Sequence, residues 1–152
     1  GTPLTNWYDD SGLTNVVQSG GNSYLTGQTA VGVYTYYITD TDANGCESNS
    51  STVALEIYAL PLAPAAVNQV ACEGGLVPDL TATGIVLTWY DDATLVLTSQ
   101  VGTGSNFATG QTVSGVYTYY VIETDLNSCG SIATPVTLEI YTTPTTGPIS
   151  HW

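Results

Sequence analysis

The sequence contains no lysine and no arginine, against 13 aspartates and glutamates, and its formal net charge is −13. A typical soluble domain is about a quarter charged, so basic residues on the order of 18 are missing from a chain of this length. That absence excludes whole classes of function. No cationic side chain can grip a phosphate backbone, so no nucleic-acid partner is expected. A nucleotide would depend on a helix N-terminus or a metal alone. No Schiff base, arginine finger or P-loop lysine can exist. Lys–Asn isopeptide cross-links are impossible, and trypsin-like proteases find no cleavage point. All 13 acids must be solvated, hydrogen-bonded or metal-bound.

Other shortages narrow the field further. The single histidine, His151, stands beside the C-terminal residue in a Pro/Gly context, with no motif around it. No CxxC pair occurs. Adjacent aspartates on a strand point to opposite faces, so Asp91 and Asp92 form no carboxylate dyad. The inventory predicts no enzyme, no catalytic residue and no cofactor. No window shows a helical period with helix-forming composition, and no signal peptide or transmembrane run is present, so no membrane insertion is expected.

What the chain does have is a repeat. Gly27-Gln28-Thr29 and Gly32-Val33-Tyr34-Thr35-Tyr36-Tyr37 return as Gly110-Gln111-Thr112 and Gly115-Val116-Tyr117-Thr118-Tyr119-Tyr120. Residues 24–58 and 107–141 share 20 identities in 35 positions, and Trp7-Tyr8-Asp9-Asp10 matches Trp89-Tyr90-Asp91-Asp92. A period near 83 residues suits a small independent domain rather than a solenoid unit. The expected organisation is a first repeat over 1–60, incomplete at its N-terminus, and a complete second repeat over 61–144. Residues 145–152 read as a linker or the start of a further repeat. Residues 62–88 have no counterpart ahead of Trp7 beyond the six residues present. The chain therefore reads as a window from a longer array or as a subunit that borrows its missing strands from a neighbour.

Cysteine spacing fits this organisation. A complete repeat holds an early cysteine, Cys72, and a late one, Cys129, and Cys46 is the late cysteine of the first copy. The expectation is a Cys72–Cys129 disulfide, which would contribute about 4 kcal/mol by loop-closure entropy and would place the protein in an oxidising compartment. Two buried free thiols are the alternative.

The local pattern is all-β. Residues 85–90, 116–124 and 136–141 are β-branched and aromatic runs, punctuated by Gly, Asn, Asp and Ser. Val136, Leu138 and Ile140 alternate with Thr137, Glu139 and Tyr141, which predicts a strand with one buried face. Leu87 and Trp89 should share a face opposite Thr88 and Tyr90. The Tyr-rich strand is apolar on both sides, so it is expected to be central and covered on both faces. About seven short strands with a core Trp between two Cys predict tandem immunoglobulin-like β-sandwiches. Each bead is small, so its core is modest.

The series Ala71-Cys72-Glu73-Gly74, Leu80-Thr81-Ala82, Thr88-Trp89-Tyr90-Asp91, Thr118-Tyr119-Tyr120-Val121, Asn127-Ser128-Cys129 and Pro135-Val136-Thr137-Leu138 resembles the Ig-like repeats found in tandem in very large secreted adhesins of Bacteroidota. The first copy keeps Trp7-Tyr8-Asp9, Thr35-Tyr36-Tyr37-Ile38 and Asn44-Gly45-Cys46-Glu47-Ser48. The resemblance spans essentially the whole chain, and its motifs mark fold rather than chemistry. It implies extracellular or cell-surface placement and a stalk, adhesion or filament role. The lack of any Lys or Arg departs from such repeats, which commonly carry a few.

Three features suggest sharper roles. Asp40, Asp42 and Asn44, followed by Gly45, space oxygen ligands as a calcium loop does, although Ser51 stands where the bidentate Glu would be. A tight Asx turn accounts for the same residues. The Asp9-Asp10 and Asp91-Asp92 pairs suit either a weak divalent site or a solvated turn. The 11 tyrosines and 3 tryptophans could form a glycan platform, but Trp7 and Trp89 read as core, and Tyr8, Tyr58, Tyr90 and Tyr141 as outward cross-strand partners of threonine. Asn49-Ser50-Ser51 is a formal but weak glycosylation acceptor. The expected function is a structural and adhesive module of a long extracellular protein, joined by Pro-rich links at 59–64 and 142–148, whose partners are neighbouring repeats or copies of itself. The alternatives are a filament subunit that completes its first bead with a neighbour's 142–152 segment, and a calcium- or glycan-binding adhesin domain.

Overall fold

Strand propensity without helical competition yields an all-β chain. The computed structural model describes residues 4–145, and the chain divides after Ala59 into two compact units. The C-terminal segment 146–152, with His151, lies outside the described residues.

Unit 1 contains β1 (Leu4–Tyr8), β2 (Val16–Ser19), β3 (Gly32–Thr41) and β4 (Ser51–Ile57). They form one antiparallel sheet in the order β2-β1-β3-β4.

Unit 2 contains β5 (Ala65–Val67), β6 (Gln69–Cys72), β7 (Leu80–Thr83), β8 (Leu87–Tyr90), β9 (Gln100–Thr103), β10 (Asn106–Phe107), β11 (Gly115–Glu123) and β12 (Thr134–Tyr141). A short 3-10 turn, Leu97–Ser99, precedes β9. The sheet β6-β12-β11-β8-β9 packs against the smaller sheet β10-β7-β5. β6 runs parallel to β12, with Gln69 opposite Leu138 and Cys72 opposite Tyr141.

The core of unit 2 follows the alternation read from its sequence. Leu87 and Trp89 of β8, Tyr119 and Val121 of β11, and Val136, Leu138 and Ile140 of β12 point inward, and Leu80 and Ala82 of β7 close over them. Trp89, Leu80, Leu138 and Val121 are completely buried. The Trp89 indole N–H reaches the Gly104 carbonyl at 2.8 Å, so the largest buried ring leaves no polar atom unpaired.

Two expectations about faces are corrected. The Tyr-rich strands β3 and β11 are central in their sheets, but they are not covered on both sides. Val33 and Val116 are 63% and 65% exposed: in unit 2 the two-layer sandwich covers only one face of each sheet, and unit 1 is a single sheet. Tyr8 and Tyr90 do not point out into solvent. They are buried, whereas Tyr58 and Tyr141 are exposed. The Tyr8 hydroxyl donates to Glu47 Oε1, in the β3–β4 hairpin, at 2.7 Å.

Candidate functional site

Most residues with the best claim to chemistry lie in or beside turns and hydrogen-bond there. In the β3–β4 hairpin, Asp42 Oδ1 accepts the backbone N–H groups of Asn44 at 2.9 Å and Cys46 at 2.8 Å. The β11–β12 hairpin repeats this, with Asp125 Oδ1 accepting from Asn127 at 2.9 Å and Cys129 at 2.8 Å. Each is an Asx turn, in which a short carboxylate replaces the missing backbone acceptors of a tight bend. The bonds to Cys46 and Asn44 hold the Asp42 carboxyl below its usual pKa.

The expected calcium ligands therefore have other duties. Asp40 accepts the Thr5 hydroxyl at 2.7 Å, Asp42 binds its own turn, and Asn44 supplies one of that turn's N–H groups. Among the described residues, no three or more His, Cys, Asp or Glu side chains cluster around one point that could hold a metal ion.

The paired aspartates also build turns. Asp10 accepts from Asn15 N–H at 2.7 Å and from the Thr14 N–H and hydroxyl. The Asn15 bond, first among these, lowers its pKa. Asp9 takes the Asn15 side-chain amide. In unit 2, Asp92 accepts the Thr94 hydroxyl and N–H, which likewise lower its pKa, the hydroxyl more. Glu123 has a role that the sequence did not reveal. Its carboxylate caps the N–H groups of Ile85 and Val86 at 2.9–3.1 Å. A Cβ at Gly84 would collide with Glu123 Oε2, so glycine is what admits the carboxylate. Ile85 and Val86 thus form a capped bend, and the strand expected over 85–90 begins at Leu87.

The expected Cys72–Cys129 disulfide is not made, and all three cysteines are free thiols. The register shows why. Cys72 lies beside Tyr141, at the C-terminal end of β12. Cys129 lies in the hairpin that precedes β12, beside the Thr124–Gly130 bridge. The eight residues of β12 separate the two positions. At about 3.3 Å per residue that strand alone spans over 20 Å, whereas a disulfide needs Cα atoms within about 7 Å.

The aromatic residues form structural ladders. Trp89 stacks on Phe107, centroids 5.5 Å apart, and Phe107 meets Tyr119 edge-on at 5.1 Å. In unit 1, Trp7, Tyr24 and Tyr36 repeat the series at 5.9 and 5.4 Å. The Tyr34 and Tyr117 hydroxyls each reach back four residues, to the Ala30 and Val113 carbonyls, both at 3.0 Å. The exposed Tyr58 and Tyr141 donate to Glu56 and Glu139, two residues back along the chain.

A two-layer sandwich around a central Trp, with tyrosines tied back to the backbone, defines an immunoglobulin-like domain. A protein-family model, the Ig-like domain, CHU_C associated, matches residues 61–144. That span exceeds half the chain, and the chain belongs to this family. Among solved structures, the fibronectin(III)-like modules of Clostridium thermocellum CbhA are similar at 19% identity and a TM-score of 0.46, over 98% of this chain and 83% of that one. No curated protein matches this sequence. No helix among the described residues is long and apolar enough to cross a membrane.

Proposed function

We propose that the chain is a non-enzymatic structural module of a long extracellular surface protein or fibre, serving as a stalk or adhesive rod. The observation that carries this reading is the parallel pairing of β6 with β12. These strands lie near the two ends of the second repeat and run in the same direction. Tension along the polypeptide pulls them in opposite senses, so their backbone hydrogen bonds are loaded together in shear. A hairpin under the same tension would instead open one bond at a time.

Two further facts support the reading. The carboxylates that could have done chemistry cap turns and bends. The absence of Lys and Arg denies trypsin-like enzymes any cleavage point, which suits a long exposed fibre. Adhesion would be to neighbouring repeats or copies.

Two measurements test the proposal. In single-molecule pulling of the full chain, unit 2 should resist more force than unit 1, and Ala71→Pro, which removes a β6 donor directed at β12, should abolish the difference. Equal rupture forces in the parent chain would sink the mechanical role. Antibodies raised against the chain should label intact producing cells or their shed fibres. Labelling that appears only after lysis would sink the extracellular placement.

A further inference from the structure

The two units carry the same sheet. Trp7 pairs with Ile38 as Trp89 pairs with Val121. Tyr36 faces Val53 as Tyr119 faces Val136, and Gly32 faces Ile57 as Gly115 faces Ile140. Their surroundings differ. In unit 2, β7 lies over the inward face and β6 pairs with the outer edge of β12. In unit 1, β4 is the edge of its sheet. Val53 is 42% exposed, Leu55, Ile57 and Trp7 are half-buried, and Trp7, Tyr24, Tyr36, Val53 and Leu55 line an open apolar groove.

The edge is also undefended. Ser51–Ile57 contains no proline, no bulge in its pairing and one charge, Glu56. Solvent-facing edges ordinarily carry such features to prevent pairing with another chain.

We propose that unit 1 is a strand acceptor for a segment of the same repeat type as residues 62–83, other than the one seated in unit 2. Unit 2 supplies the template and the register. A stretch equivalent to Gln69–Cys72 adds parallel to β4, opposite Leu55–Tyr58, as β6 adds opposite Leu138–Tyr141. A following strand equivalent to Leu80–Thr83 lays a leucine and an alanine over Trp7, Tyr36 and Leu55, as Leu80 and Ala82 do over the core of unit 2. Backbone pairing supplies affinity, and the alternate apolar side chains supply specificity.

The donor is a further repeat and not the segment already seated in unit 2. Each chain presents two acceptor sheets but, among its described residues, one such segment. Exchange among copies of residues 62–83 would therefore leave half the acceptors empty at any number of copies.

The test uses the full chain and a synthetic peptide of residues 62–84 carrying Cys72→Ser, followed by amide hydrogen exchange. Binding should slow exchange at least tenfold at the β4 amides that do not face β3 and should raise the melting temperature of unit 1. A peptide with Leu80→Asp and Ala82→Asp should do neither. A second arm fuses residues 62–84 ahead of residue 1 through a flexible linker. Protection by the fusion or by free peptide at millimolar concentration would support the acceptor. Protection by neither, or β4 amides already as slow as those of β12 without any addition, would overturn the acceptor itself.

Discussion

Units 1 and 2 place the same side chains in the same register and bury them differently. Trp89 is fully buried, while Trp7 is half-buried. Val136 is 1% exposed and its counterpart Val53 42%. Local hydrogen bonds do not share this difference. The Gln28–Tyr36 and Gln111–Tyr119 side-chain bonds are both present, at 3.3 and 3.1 Å, as are both Asx turns and both tyrosine tie-backs. Strand sequence and turn chemistry set the sheet, but burial depends on a second layer, and 62–83 supplies that layer only to unit 2. Since apolar burial is the dominant favourable term in folding, the two units should differ in stability despite their shared sequence.

The largest expected effect comes from removing the same leucine in each. Leu138→Ala deletes a completely buried side chain and should cost unit 2 about 2–5 kcal/mol. Leu55→Ala removes a half-buried one and should cost unit 1 under about 1 kcal/mol. Urea unfolding followed by tryptophan fluorescence, with Trp7→Phe and Trp89→Phe backgrounds to separate the units, would measure both. Equal losses would mean that unit 1 gains a covering layer in solution.

The strands and core of unit 2 were legible because period-2 alternation is a local signal. Val136, Leu138 and Ile140 could be assigned inward from β12 alone. The faces of the Tyr-rich strands were not legible, because apolar residues on both sides say nothing about how many layers the fold provides. The partner of the Tyr8 hydroxyl is Glu47, 39 residues away, which no local pattern carries. The cysteine pairing failed for a related reason. Sequence separation measures loop length, whereas bonding depends on where strand direction carries each residue. The Asx turns were legible from their Asp-x-Asn spacing, but the Glu123 cap was not, since it joins residues 37 and 38 apart.

Acid should separate the units next. The pKa values of Asp10, Asp42 and Glu47 are lowered in unit 1, by the Asn15 bond, the Cys46 bond and the Thr39 hydroxyl bond respectively. In unit 2 the Thr94 hydroxyl bond lowers that of Asp92. A carboxylate whose folded pKa lies below its unfolded value of about 4 contributes stability above that value. The contribution disappears as pH falls through the folded pKa. Neutralising the chain also relieves self-repulsion, but unit 1 carries six acids and unit 2 seven, so the relief is nearly shared. Calorimetry from pH 6 to pH 2 should show the unit 1 transition falling further than that of unit 2. Parallel shifts would mean that these turn contacts contribute nothing to stability.

A smaller effect tests a left-handed position at which the matching turns disagree. Gly45 adopts φ +84°, and in unit 2 Ser128 holds the same place at φ +64°. A side chain in the left-handed region costs roughly 1–2 kcal/mol, part of which glycine returns as unfolded-state entropy. Ser128→Gly should therefore raise the stability of unit 2 by up to about 1 kcal/mol, and Gly45→Ser should lower that of unit 1 by a similar amount. If neither moves in thermal melts, the turn relaxes around its residue.

The smallest effect discriminates most sharply between the two arrangements considered for the cysteines. With Cys72 and Cys129 at opposite ends of β12, Cys72→Ser removes an exposed thiol and should change stability by less than about 0.5 kcal/mol. A native disulfide would make the same change cost about 2–5 kcal/mol. Thiol titration of the monomer under non-reducing conditions should find all three cysteines reactive, with Cys129, which is partly buried, reacting more slowly than Cys46 in the matching turn. A single reactive thiol together with a large cost for Cys72→Ser would require β6 to leave its place beside β12. That would remove the parallel pairing on which the mechanical reading rests, so one thiol count bears on both the fold of unit 2 and its proposed role.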